Sequence, residues 1–264
     1  MNLYYLFRAS FEKSIKEFTR YKFNSISYFL IFYALFMSMF LGLSFFGSSM
    51  GVSQINLGDT LEGLVGGFFL WMVMMMTYSE TAYNITRDAT SGTLEQVSMA
   101  DLSLEAVLVM RSFTNLIVNL ILCITTLFFI MLSTGYWLQI DVISLLISIF
   151  IGIFSIFGIS LICGGLALIY KKIQSLLSLV QYLLIALVIP GVDSVEPIIS
   201  FFMPFRPTIE KVTRVMRYGE SFTDFSVIDV LRMFGNSVLY FTIGVIVFRT
   251  CTKVAKRRGL LGQY

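Results

Sequence analysis

The chain has 264 residues, 57% of them hydrophobic and 13% charged, with a formal net charge of +3 and no histidine. A soluble domain carries roughly 25% charged residues, so this composition, with its mean hydropathy of +0.83, excludes a water-exposed globular protein and calls for lipid as the solvent. Without histidine there is no H-E-x-x-H metal site and no Ser–His dyad, and neither a G-x-x-x-x-G-K-[ST] phosphate loop nor a G-x-G-x-x-G turn occurs.

Residues 1–24 come first. Leu3, Phe7, Phe11, Ile15 and Phe18 recur at three- and four-residue steps, whereas Arg8, Glu12, Lys16 and Arg20 fall on other faces. This predicts an amphipathic helix lying in the membrane interface, with a plain anchor as the alternative. The stretch lacks the unbroken apolar region and cleavage site of a signal peptide, so none is expected.

Six apolar segments follow, at residues 25–46, 61–83, 107–133, 142–170, 175–190 and 229–248, and a helical span needs roughly 20 such residues. The fifth is the shortest and stops at Pro190 and Gly191. Arg8, Lys13, Lys16, Arg20 and Lys22, then Arg87 and Arg111, then Lys171 and Lys172, and finally the 249–264 tail with Arg249, Lys253, Lys256, Arg257 and Arg258 all fall on one face. The opposite loops, 47–60 and 134–141, hold no Lys or Arg. Positive charge stays inside, which puts both termini in the cytoplasm. Segment 191–228 falls outside; its Arg206, Lys211, Arg214 and Arg217 are balanced by Asp193, Glu196, Glu210, Glu220 and Asp224.

Little in the spans speaks of catalysis. The Asp and Glu residues lie in loops or near span ends, and Cys123, Cys163 and Cys251 are far apart and read as buried small hydrophobes. No catalytic residue, metal site, bound cofactor or nucleic-acid partner is expected. Arg111, Asn115 and Asn119 stack on one face of the third span, either lining a path or bonding a neighbouring helix. Asp229, Arg232 and Asn236 form a similar edge on the sixth, where spacing allows Asp229 and Arg232 to pair. The Met run after Trp71 reads as adaptable packing.

One polar stretch interrupts this pattern, "NITRDATSGTLEQVSMADLS" at residues 84–103. Thr93, Leu94, Glu95, Gln96 and Val97 can form a short helix after Gly92, capped by Ser91 or Thr93; it would be marginal alone in water and sensible in a partner's groove. Glu80 followed by "R-D-x-x-S-G-T-L-E-Q-V" resembles the loop of the ABC-2 family of transporter permeases. The family often has Ser-Pro shortly after its Gly-Thr-Leu-Glu, where here Ser98, Met99 and Ala100 follow Val97.

The resemblance implies an all-α integral membrane protein, a single permease domain over residues 1–264. It would have six transmembrane helices, an N-terminal amphipathic interfacial helix, and a polar, partly re-entrant helical hairpin between the fifth and sixth. It further implies coupling, through loop 84–106 and Glu80, Arg87, Asp88, Gly92, Thr93, Leu94, Glu95 and Val97, to two copies of a cytoplasmic P-loop ATPase that holds ATP and Mg. A second permease copy or close paralogue would complete the path in a bacterial plasma membrane, in contact with its lipids. From position and mixed polarity, Trp71, Met72, Met75, Tyr78, Asn115, Asn119, Gln181 and Tyr182 are the expected lining. Such a wall suits export of an amphipathic or lipid-like compound, drug or peptide. A secondary transporter or channel without an ATPase, or a membrane-embedded lipid enzyme, are the alternatives.

Overall fold

The computed structural model describes residues 3–49, 54–93, 96, 103–170, 173–188 and 197–259. Helix makes up 89% of the described residues, with no strand among them. Helices satisfy their own backbone polar groups, as a span in lipid must.

In chain order the helices are α1 (Leu3–Arg20), α2 (Lys22–Ser49), α3 (Gln54–Tyr78), α4 (Glu80–Thr90), α5 (Leu104–Thr134), α6 (Val142–Ile169), α7 (Gln174–Val188), α8 (Pro197–Phe202), α9 (Arg206–Tyr218) and α10 (Val227–Arg257), with a single 3-10 turn at Phe222–Asp224 before α10. Five stretches are long and apolar enough to cross a membrane: Lys22–Phe45, Leu61–Thr90, Leu104–Thr134, Val142–Ile169 and Val227–Arg257. The expected fifth of six spans is the 15-residue α7. At 1.5 Å per residue it covers roughly 22 Å, short of a hydrocarbon core of about 30 Å, so five helices meet the length that six were expected to reach.

α3 is the axis of the bundle. Val65, Leu70, Met72 and Met74 are fully buried, and α2, α5, α6, α7 and α9 all pack against it. α2 is the opposite case, with Leu30, Ile31, Leu35 and Met39 exposed while Phe32 and Phe36 alone are buried in its described part. Apolar side chains on such a face meet lipid tails or another helix, not water.

The tightest seam joins α6 and α10, which run side by side in the same direction. Gly158 and Gly244 make it possible: a Cβ on Gly244 would lie 2.4 Å from the Gly158 carbonyl oxygen, and one on Gly158 would lie 2.2 Å from that of Tyr240. Small residues let backbones approach where no hydrophobic force drives helices together in lipid. Ser237 adds a bond across the seam, its Oγ lying 2.8 Å from the Ile151 carbonyl oxygen. Asp141 caps α6, its carboxylate accepting from the Ile143 N–H at 3.2 Å. Hydrogen bonds from the Ser144 hydroxyl and from the backbone hold that carboxyl below the usual range.

α8 and α9 form a helical hairpin whose turn is held by α10. Asn236 Oδ1 accepts from the Phe205 N–H at 3.1 Å, and its Nδ2 donates to the carbonyls of Phe201 and Met203 at 2.7 and 3.0 Å. Phe205 itself is left-handed at φ 63°, a conformation that costs a non-glycine residue roughly 1–2 kcal/mol; its fully buried ring and the Asn236 bond offset that cost. α9 turns Ile209, Val212, Val215 and Met216 inward against α3, α6 and α10. Lys211 on α9 pairs with Asp229 at 2.7 Å. Asp229 therefore takes a partner from across the hairpin in place of the expected Arg232, because the Lys211 ammonium comes within hydrogen-bonding distance.

α1 packs on α5, along a line different from the apolar stripe of its sequence. Leu6, Ser10 and Ser14 are buried, whereas Ile15 is 41% exposed. Phe7 stacks on Phe11 and reaches Phe113 on α5. Two serines on the inner line let the helices approach more closely than bulky side chains would.

Candidate functional site

The polar stretch opens as helix. α4 runs on through Asn84, Arg87 and Asp88 to Thr90, so the expected loop 84–106 starts with an amphipathic helix. Thr81, Ala82, Ile85 and Ala89, at three- and four-residue steps, are buried, and α6 receives them. The Thr81 hydroxyl accepts from Ser160 Oγ at 2.7 Å, fixing α4 to α6.

Gly92 then ends the helix. It is left-handed at φ 68°; its N–H reaches the Ala89 carbonyl at 3.1 Å and the Thr93 N–H reaches the Asp88 carbonyl at 2.9 Å. This double closure is the Schellman pattern, which favours glycine at that one position. The Thr93 hydroxyl also donates to the Asp88 carbonyl, so Thr93 closes α4, where sequence had offered it as a cap for a following helix. Gln96 is helical and exposed; Leu94, Glu95 and Val97 lie outside the described residues.

Two charged side chains fasten α4 to its neighbours. Asp88 Oδ2 meets Arg111 Nη1 on α5 at 2.6 Å, with side chains only 11% and 21% exposed. Arg87 donates to Asn84 Oδ1 at 2.8 Å and approaches Glu17 on α1 at 3.9 Å. In the first turn of α4, Glu80 Oε1 accepts from Asn84 Nδ2 at 3.0 Å and from Asn115 Nδ2 on α5. Asn115 Oδ1 in turn accepts from the Ser14 hydroxyl on α1. One chain of bonds thus links α1, α4 and α5.

Of these groups Ser14, Glu17, Glu80, Arg87 and Asn115 line one wall of a cavity of about 840 Å³, which also takes in Tyr28 and Phe32 from α2, Met75 and Tyr78 from α3, Asn119 from α5, and Gln174 and Gln181 from α7. Tyr78 ties two of its walls together, its hydroxyl donating to the Leu177 carbonyl at 2.9 Å. Among the described residues no group of His, Cys, Asp or Glu is placed to hold a metal. Rings, amides and carboxylates thus face one space.

A scan against protein-family models matches residues 49–246 to the ABC-2 family transporter protein. The chain belongs to the ABC-2 transporter family. Against curated proteins the sequence gives no significant match. The family is one of transport permeases, so this ABC-2 protein is a multi-pass membrane component of a transporter.

Of the residues expected to line a path in this ABC-2 protein, the cavity contains Met75, Tyr78, Asn115, Asn119 and Gln181. Trp71 and Met72 are instead buried in the core, Trp71 against Phe32 and Phe68, because this part of α3 is covered by other helices all round. Tyr182 is 69% exposed and lies off the cavity wall. Of the expected coupling residues, Glu80 and Arg87 share the cavity with the path residues, Asp88 is the buried anchor, and Gly92 and Thr93 form the helix end.

Ser14, Glu17 and Asn84 belong to the same cluster and were not expected. Ser10 and Ser14, one helical turn apart, were the signal for the first. The Asn84 and Arg87 spacing of three was the signal for the last.

Proposed function

We propose that this chain is the membrane half of an ATP-driven exporter, pairing with a second copy or a close paralogue around the cavity. Each half docks one cytoplasmic P-loop ATPase subunit, which holds ATP and Mg. Six spans, with α7 as the fifth, place both termini in the cytoplasm of a bacterial plasma membrane; α1 lies in the inner interface and the α8–α9 hairpin dips in from the outer side. An amphipathic or lipid-like compound is the cargo, and relief from a drug or antibiotic is the use such export serves.

The observation that carries this reading is the sharing of one cavity by Glu80 and Arg87 with Met75, Tyr78, Asn115, Asn119 and Gln181. α4 is pinned to α5 by Asp88 and Arg111 and bonded through Asn115 to α1. A push on the segment after Gly92 would therefore move a cavity wall and not a slack loop. Coupling needs contacts that differ between the partner's two states, and residues 94–97 are where those contacts form. Glu95→Arg reverses a charge at that dock. Co-expressed with its ATPase, the wild type lowers cellular accumulation of cargo and Glu95→Arg does not; unchanged export by the variant would contradict the assignment.

A further inference from the structure

The charge carried by the cavity points to the kind of molecule it holds. Three charged side chains line it, Glu17, Glu80 and Arg87. Glu17 and Arg87 approach to 3.9 Å and offset each other. Glu80 is bonded directly only by neutral amides, both on its Oε1, and Arg87 reaches it at one remove, through Asn84. Among the described residues its Oε2 accepts no hydrogen bond and no Lys or Arg reaches it as an ion pair. A carboxylate held between helices and only partly exposed is costly to keep charged unless a positive group joins it.

The rest of the wall is of a kind that welcomes such a group. Phe18, Tyr21, Tyr28, Phe32, Tyr78 and Tyr83 all contribute to it, and ring faces attract cations while also packing against hydrocarbon. Met75 and Met76 add polarizable, adaptable surface. A volume of about 840 Å³ lies within the roughly 300–1,000 Å³ typical of small-molecule sites. An anionic amphiphile would meet the same rings but would face two carboxylates, with Arg87, already beside Glu17, as the one cation in the described lining.

We propose that the cavity selects an organic cation, an amphipathic molecule bearing one positive charge that rests against Glu80 with its apolar groups among the tyrosines and phenylalanines. The assignment rests on reading the cavity as the cargo site of a permease. Asn84 and Asn115 are positioning residues here, both bonding one Glu80 oxygen.

Tetraphenylphosphonium and tetraphenylborate test this, being nearly alike in size and shape and opposite in charge. The full chain is placed in nanodiscs of zwitterionic lipid and saturable binding of each ion is measured, with binding to empty nanodiscs subtracted. The phosphonium binds at least tenfold more tightly than the borate. Glu80→Gln, which keeps an acceptor oxygen for both amides, weakens phosphonium binding tenfold or more and leaves borate binding no weaker. Equal affinities, a preference for the borate, no saturable binding of either, or a helical Glu80→Gln variant that binds like the wild type each overturn the proposal. Should Glu80→Gln fail to fold, the wild-type comparison decides by itself. Capture of a co-expressed ATPase is measured on the same preparation: capture without cation preference removes the cargo assignment and leaves the permease reading, whereas cation preference without capture does the reverse.

Discussion

The Asp88–Arg111 pair is the joint through which α4 is held to the bundle, and its strength can be measured. The side chains are 11% and 21% exposed and meet at 2.6 Å. Removing one partner from a largely buried pair leaves the other charge without compensation, at about 3–5 kcal/mol; the residual exposure here places the cost near the lower end, about 3 kcal/mol. Asp88 also sits in the last turn of α4, where a negative charge opposes the helix dipole by roughly 0.3–1 kcal/mol unless a cation such as Arg111 answers it. Asp88→Ala and Arg111→Ala each therefore lower the unfolding midpoint by roughly 6–12 °C, at about 2–4 °C per kcal/mol for a protein of this order of size. The double variant costs about 2 kcal/mol less than the sum of the singles. Cys123, Cys163 and Cys251 are free and buried, so heating in detergent with a fluorogenic maleimide reports the midpoint directly. A shift below about 2 °C for either single variant, or strict additivity in the double, would refute the claim that this pair anchors α4.

Gly244→Val drives a side chain into the Gly158 backbone, 2.4 Å away. It lowers the same midpoint by several degrees, since overpacking costs typically 1–3 kcal/mol, while Gly42→Val, with nothing within 4 Å, does not. Asn236→Ala strips three bonds from the hairpin turn and leaves buried backbone groups unpaired. It costs roughly 3 kcal/mol, seen as lost hydrogen-exchange protection at Phe205. The Asp141 carboxyl is held below its ordinary range, so its contribution is present above the unfolded carboxylate pKa and is lost as pH falls through the folded one. The drop in midpoint between about pH 5 and about pH 3 is accordingly smaller in Asp141→Asn than in the wild type, and an equal drop would count against the cap.

Much of the architecture was legible because lipid imposes a simple rule on sequence. Long apolar runs mark spans, and charges mark their ends. The rule fails where burial in protein replaces burial in lipid. Nothing in the composition of α1 distinguishes the side facing α5 from the side facing lipid, so the Phe and Ile stripe misplaced the buried line that Ser10 and Ser14 occupy. Trp71 and Met72 looked like cavity lining for the same reason: a helix covered all round gives no polarity signal for its neighbours. The Asp229 partner, Lys211, lies 18 positions upstream by the numbering and is chosen by the hairpin fold, which local spacing cannot show. Gly92 was legible as a break; its role in closing α4 needed the backbone bonds to Asp88 and Ala89. Glu80 read as a coupling residue and Asn115 as a path residue, and the bond between them is what unites the two sets.

Contact between the segment after Gly92 and a separate ATPase is the claim on which the account turns. Gln96 is exposed, and the cysteines at positions 123, 163 and 251 are buried, so Gln96→Cys offers a single reactive handle in the folded complex. Treated with a short thiol-to-amine cross-linker in membranes holding both proteins, the variant joins covalently to the ATPase subunit, with a yield that changes when ATP or vanadate is added. A cross-link yield no higher than that of the unsubstituted chain, with both proteins present and folded, would contradict it.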